Sequence, residues 1–421
     1  MEELIETLLE ETFAIVAEAK ESIPRQIAFS QSKQMVKVAI GMRRSGKTYC
    51  LYQKINQLLK QGIDNSGILL INFEDDRLLP MTSKQMGALV DAFYTLYPKN
   101  HQRCCYLFFD EVQNITGWET VVRRLLDTKN VELYLSGSSA KLLSTEIATS
   151  LRGRSLATEV WPYNFSEYLT AHQLNPPSAP FGQRSFDIMR QYLLDFFSIG
   201  GFPAVQHMND HDWRETLQGY VDTVILRDIV ERYDVTNITL LRYLTKCLLA
   251  NAAAPFSVNK FYNDVKSQGF KVGKETVHNY MDYLEDSYLI FSVPLYSESL
   301  RAQNIPKKVY AIDNGLIRAN SLKINDTHNQ FLENQVYLDL RRQNKTVYFY
   351  NTQAGYGIDF VTVAKNGDRE IIQVTWDMND PKTAQREQRA LQAAEAELKI
   401  PGRILTLRDY LEPFLNTRPA K

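Results

Sequence analysis

The sequence predicts an α/β fold whose first part is a parallel sheet with helices on both faces. Three observations carry that expectation. Five short apolar runs, MVKVAI, GILLINF, CCYLFF, VELYLS and LATEVW, recur between residues 34 and 162. Each is nearly continuous, as strands buried on both faces require. Helical segments separate them, and on the first Leu51, Ile55, Leu58 and Leu59 mark one apolar face. A glycine-bearing turn joins the first strand to the first helix, so strand, turn and helix alternate as in a three-layer α/β domain.

The remaining elements follow in order. Residues 1–22 have the period of an amphipathic helix that ends near Pro24, and their acidic character is wrong for a secretory signal. The α/β alternation is expected over residues 23–165. The loop NPPSAPFG then breaks it, and residues 166–249 read as a helical lid. Residues 250–320 read as short helices followed by an apolar hairpin, the pattern of a winged helix. From 325 to 421 the order is helix, three strands (TVYFYN, GIDFVTV, EIIQVT), helix and strand, a second α/β domain.

Composition narrows the function classes. With 44% hydrophobic residues in 421, the chain can bury a large core divided over several domains. Lys and Arg number 48 against 49 Asp and Glu, so bulk charge cannot coat nucleic acid and any such contact needs a local patch. The four cysteines show no paired CxxC spacing, which argues against zinc. No apolar run is long enough to span a membrane, and the expected compartment is the cytoplasm.

The turn after the first strand reads Gly41-Met42-Arg43-Arg44-Ser45-Gly46-Lys47-Thr48, a full match to GxxxxGK[ST]. Glycines let the backbone curl so that its N–H groups face phosphate oxygens, and the helix start adds positive potential. Lys47 is expected to reach the β- and γ-phosphates of ATP and Thr48 to ligate Mg²⁺. The nucleotide-binding set is Gly41, Arg43, Arg44, Ser45, Gly46, Lys47, Thr48 and Tyr49. The third strand ends in Asp110-Glu111, which places both acids at the ligand-binding edge of the sheet. Asp110 is the expected Mg²⁺ partner, and Glu111 the general base for the attacking water. Ser136 and Ser138, at the end of the fourth strand, are alternatives for orienting that water or sensing the γ-phosphate. Arg152 and Arg154 in LRGR are candidates for an arginine that stabilises transferred charge, with a structural ion pair as the equal alternative.

Beyond these residues the chain resembles the bacterial and archaeal AAA-type ATPases fused to a C-terminal domain of restriction-endonuclease-like fold. The resemblance rests on GMRRSGKT, NFEDDRL, FFDEVQNITGWE, SGSSAKLLSTEIATSLRGR, YNFSEYL, IGGFPAV, YVDTVILRDIVERY, TVHNYMDYLEDSYLI, KVYAIDNGL, LENQVYLDLRR and GIDF. It implies a P-loop ATPase core, helical lid, winged helix and nuclease-like domain, with phosphate-site roles at Gly46, Lys47, Thr48, Asp110 and Glu111.

In the winged-helix segment, Lys274, His278 and Asn279 are candidate DNA contacts but are offset by Asp282, Glu285 and Asp286, and the wing offers Arg301, Lys307 and Lys308; the alternative is a packing module between domains. In VILRDIVERY, Asp228 and Arg232 are spaced as an i, i+4 pair. Active restriction-endonuclease-like domains carry two acids and a Glu-x-Lys. Here Glu333 and Asp359 stand at the acid positions, but the last element reads Gln373-Val374-Thr375, so the two acids are expected to lack their partners and the domain to bind without cutting; alternatively the acids fix the first helix against the sheet. Arg341, Arg342 and Lys345 nearby are candidate phosphate contacts. The sequence thus predicts an oligomeric ATPase, with ATP and Mg²⁺ as cofactors, DNA as a candidate partner and no membrane. The alternative is a nucleotide-gated signalling or defence scaffold with a protein partner.

Overall fold

A computed structural model describes residues 2–137, 151, 153–179, 181–297, 299, 306–321 and 328–416. The chain divides into two compact units, Met1–Trp161 and Pro162–Lys421.

The first unit holds helix α1 (Glu2–Glu18), strand β1 (Val36–Ile40), α2 (Lys47–Lys60), β2 (Ile68–Asn72), α3 (Ser83–Leu96), β3 (Cys105–Asp110), α4 (Trp118–Thr128), β4 (Val131–Gly137) and β5 (Ser155–Glu159). All five apolar runs are strands, and they form one parallel sheet in the order β2-β3-β4-β1-β5. The inner strand β1 is buried throughout. Its one charged residue, Lys37, is 1% exposed and meets Glu132 of β4 at 2.9 Å, so the buried ammonium is paired. The expectation of burial on both faces fails for β5. It is an edge strand, and Leu156 lies open to solvent. The topology also sets the site. With β4 between β1 and β3, the C-terminal end of β4 lies between the turn after β1 and the acids that end β3.

The second unit begins with helices α5 (Phe165–Ala171), α6 (Gln183–Ile199) and α7 (Asp210–Thr223). A π-helical stretch, Val224–Val230, continues α7, and α8 (Ile238–Ala250) follows. Asp228 is buried in this stretch, and the exposed Arg227 pairs with Glu231 at 3.2 Å. Next come β6 (Ala254–Phe256), α9 (Val258–Ser267), α10 (Lys274–Asp286), β7 (Ile290–Val293) and β8 (Lys307–Ala311). Their three strands form an antiparallel sheet with β8 in the centre. On α10 Lys274, His278, Asn279 and Asp282 are exposed, whereas Glu285 and Asp286 turn partly inward, Asp286 accepting from Tyr233.

The chain closes with α11 (Asn314–Asn320), α12 (His328–Arg342), β9 (Thr346–Asn351), β10 (Gly357–Val363), β11 (Arg369–Thr375), α13 (Pro381–Leu398), β12 (Gly402–Thr406) and α14 (Leu407–Asn416). The sheet order is β12-β11-β10-β9, with β11 and β12 parallel and the rest antiparallel. The expected order of helix, three strands, helix and strand is therefore present, with α14 added. At the front of α11, Asp313 is buried and accepts from the backbone N–H of Gly201 and of Leu316. Gly200 and Gly315 are required beside it, because a Cβ on either would stand within 3 Å of the Asp313 carboxylate. Among the described residues, no helix is long and apolar enough to cross a membrane.

Candidate functional site

The site is assembled at the C-terminal ends of β1, β4 and β3. Gly41 leaves β1 with φ 152°, and a Cβ there would stand 2.3 Å from the Val160 carbonyl oxygen, so only glycine fits. The turn passes through Arg44 and Gly46, both at positive φ, and Gly46 caps α2. Lys47 and Thr48 open that helix, where the unpaired N–H groups and the helix dipole favour an anion.

Lys47 is 4% exposed, and its Nζ donates to the carbonyl oxygens of Gly41 and Met42, each at 3.2 Å. The same ammonium lies 3.8 Å from Glu111 Oε1. Thr48 Oγ1 donates to Asp110 Oδ2 at 2.7 Å, which joins the two halves of the site. Asp110 is 1% exposed. Burial first, and the neighbouring Glu111 second, push its carboxyl up to about 6 against the pull of Ser136, Thr48 and Lys47. Glu111 adopts a left-handed backbone, φ 51°, and its carboxylate also accepts from Gln113.

Ser136 is fully buried, and its hydroxyl donates to Asp110 Oδ1 and accepts from the Glu111 N–H. It therefore holds the two acids in place. Arg43 reaches Glu74 at 3.0 Å, Arg44 is exposed, and Tyr49 projects into solvent, its ring tilted 60° to that of Tyr52. The Ser45 hydroxyl is buried without a hydrogen-bond partner. Paired hard oxygens at Thr48 and Asp110 fit Mg²⁺, and the glycine-bounded turn and Lys47 fit a polyphosphate.

The candidate arginines lie elsewhere. Arg154 immediately precedes β5, and its carbonyl accepts from Val36 N at the start of β1, at the opposite end of the strands from the phosphate turn. Its guanidinium meets Asp127 at 2.5 Å, half exposed. Within one chain it forms the structural ion pair. Ser138 and Arg152 lie outside the described residues.

Sequence reasoning missed Arg25. Its guanidinium donates to the Ser45 carbonyl at 3.0 Å and the Trp161 carbonyl at 2.6 Å, bracing the phosphate turn from behind. Gln53 of α2 accepts from the Arg25 N–H and donates to Ser22 and Ile23. A lone arginine in an irregular segment gives no periodic signal that would have found it.

In the second unit the basic residues expected to meet phosphates are largely engaged. Lys308 is not on an open wing. It is buried, bonded to Glu333 at 2.9 Å and to Asp359 at 2.8 Å. The expectation that these two acids lack a positive partner is thereby corrected. Arg342 is mostly buried, paired with Asp339 and the Pro162 carbonyl, and Lys345 is 3.6 Å from Glu370. Arg301 lies outside the described residues.

Phosphate turn, paired acids and parallel sheet define a P-loop ATPase fold of the AAA type, and residues 33–169 match the family model described as an AAA domain. Residues 190–327 match a domain of unknown function (DUF8612), which spans both the helical stretch and the three-stranded sheet. The chain is 34% identical over 414 residues to uncharacterized protein MJ1544 of Methanocaldococcus jannaschii, covering 96% of this chain and 89% of that protein. It belongs to the same family as MJ1544. An uncharacterized protein of Haemophilus influenzae is 29% identical over 333 residues, covering 78% of this chain and 80% of its own. Among solved structures, the Walker-type ATPase paby2304 of Pyrococcus abyssi aligns with 15% identity and a TM-score of 0.42, over 74% of this chain and 95% of that one.

Proposed function

We propose that the chain hydrolyses ATP with Mg²⁺, working as an oligomer that uses the cycle to drive conformational change on DNA. The observation that carries the hydrolysis is the closed set Lys47, Thr48, Asp110 and Glu111, held by hydrogen bonds across three strands. Mg²⁺ supplies charge neutralisation at the β- and γ-phosphates when bound. Lys47 leaves its carbonyl partners for phosphate oxygens, Thr48 and Asp110 would hold the cation, and Glu111 takes the proton of the attacking water. Ser136 fixes Asp110 and the Glu111 backbone throughout.

The second unit is read as a lid over 166–249, a winged helix over 250–320 and a restriction-endonuclease-like domain over 325–421. Supporting this are the pair α9–α10 before the β7–β8 hairpin, and the order α12, β9, β10, β11, α13, β12. Any contact with DNA then falls to exposed groups such as Lys274, His278 and Asn279. The engagement of Lys308 and Arg342 inside the fold favours a second reading, a nucleotide-gated scaffold with a protein partner. ATP turnover measured alone and with duplex, single-stranded and branched DNA separates the two. Stimulation by DNA supports action on nucleic acid; an unchanged rate with all three supports the scaffold.

A further inference from the structure

A restriction-endonuclease-like fold implies a divalent metal between Glu333, Asp359 and the residue at position 373, and the residues present do not fit one. The Gln373 amide is already committed. Its Oε1 accepts from Asp359 N at 3.1 Å, and its Nε2 donates to Glu387 Oε2 at 2.7 Å. Thr375 donates to the Asp377 carbonyl. The second Asp359 oxygen accepts from Val374 N at 3.0 Å. Among the described residues, no group of three or more His, Cys, Asp or Glu side chains is placed to hold a metal ion.

A cation is nevertheless present. Lys308 and Tyr310 alternate along β8 and so share one face of the strand. Lys308 Nζ bonds to both carboxylates, and Tyr310 Oη donates to Glu333 Oε1 at 2.8 Å. Lys308 and Asp359 are each 9% exposed, Glu333 6% and Tyr310 fully buried. Two carboxylates this deep in the fold repel each other and are poorly hydrated, so an ammonium touching both offsets a large penalty. Consistent with that, burial works to lower the Lys308 pKa, yet Asp359 and Glu333 outweigh it and hold the ammonium charged.

We propose that Lys308 is the resident cation of this site, taking the place of a metal ion. The cluster is then a three-way ion lock that fastens the central strand of the three-stranded sheet to α12 and β10. The C-terminal domain is thereby tied to the three-stranded sheet and does not cleave phosphodiesters.

The test uses the nucleotide-free full chain. Mn²⁺ binding followed by electron paramagnetic resonance should give the same stoichiometry for the wild type, Asp359→Asn and Glu333→Gln; comparison among them excludes any Mn²⁺ held at the phosphate turn. Linear, supercoiled and branched DNA should stay intact in Mg²⁺ and in Mn²⁺. Lys308→Met should lower the melting temperature by roughly 5 °C or more, because two buried carboxylates lose their partner. Adding Glu333→Gln should restore part of that loss by removing one charge; if Lys308→Met does not fold, recovery of soluble protein in the double variant is the equivalent result. A Mn²⁺ equivalent lost on Asp359→Asn, DNA cleavage abolished by that substitution, or a double variant no better than Lys308→Met would each overturn the assignment.

Discussion

The hydroxyl of Thr48 and the carboxylate of Asp110, 62 residues apart in sequence, are joined by a 2.7 Å hydrogen bond. This bond brings the first residue pair of α2 against the end of β3 and sets side by side the two oxygens that the proposed reaction uses to hold Mg²⁺. Burial pushes the Asp110 carboxyl up to about 6, with Glu111 adding to the effect. A protonated carboxyl is a poor ligand, so apparent Mg²⁺ affinity should fall as pH drops through about 6, by about tenfold per unit below it. Mg²⁺ titrations of ATP turnover at several pH values between 5 and 8 measure this; Asp110→Asn should bind Mg²⁺ weakly at every pH.

Ser136 grips both Asp110 and the Glu111 N–H from β4. Ser136→Ala should therefore leave ATP affinity within about twofold while lowering kcat by roughly tenfold, since the acids lose alignment and not identity. Ser136→Thr, which keeps the hydroxyl, should recover part of kcat. Steady-state turnover paired with nucleotide titration reads the split.

Arg154 lies at the end of the strands away from the phosphate turn of its own chain, so in the proposed oligomer it would act on a nucleotide held by another subunit. Arg154→Ala should reduce turnover of the assembled form with little change in ATP affinity. Mixing it with Lys47→Ala subunits should return some activity, because each protein supplies what the other lacks. Full activity from a protein shown to be monomeric by light scattering would contradict action between subunits.

Asp313 lies wholly inside the second unit, and burial raises its carboxyl to about 6 although the N–H groups of Gly201, Leu316 and Gly315 pull it down. A folded value above the ordinary 3.8 means that the native state holds the proton to higher pH. The stability from this group is complete below about 4 and is lost as pH rises through about 6. Asp313→Asn should flatten that part of the melting-temperature profile. It should also destabilise the protein by about 1–3 kcal/mol, because an amide cannot accept from both Gly201 and Leu316. Thermal melts of both proteins from pH 4 to 8 decide it.

The parts legible in the sequence were those fixed by local pattern. Apolar runs of strand length gave all five strands of the first sheet, and the spacing from Gly41 to Thr48 gave the phosphate turn in its strand-to-helix setting. The acids ending β3 followed from the same logic. What stayed hidden depends on distant residues. Lys308 meets partners 25 and 51 positions away, and as one basic residue in a hairpin it looked solvent-facing. Arg25 acts through carbonyls of Ser45 and Trp161, which no side-chain pattern announces. A strand-end position makes Ser136 and Ser138 equal candidates in the sequence, and only the strand order reveals the grip of Ser136 on Asp110.

The most direct test of ATP hydrolysis at this site compares ATP binding and turnover for the wild type, Lys47→Ala and Glu111→Gln under the same conditions. Lys47→Ala should bind ATP weakly or not at all, since the buried ammonium facing the phosphates is lost. Glu111→Gln should bind ATP as the wild type does and turn it over at least about a hundredfold more slowly, because an amide cannot accept the proton of the attacking water. Wild-type turnover by Glu111→Gln, or ATP binding unaffected in Lys47→Ala, would contradict the assignment.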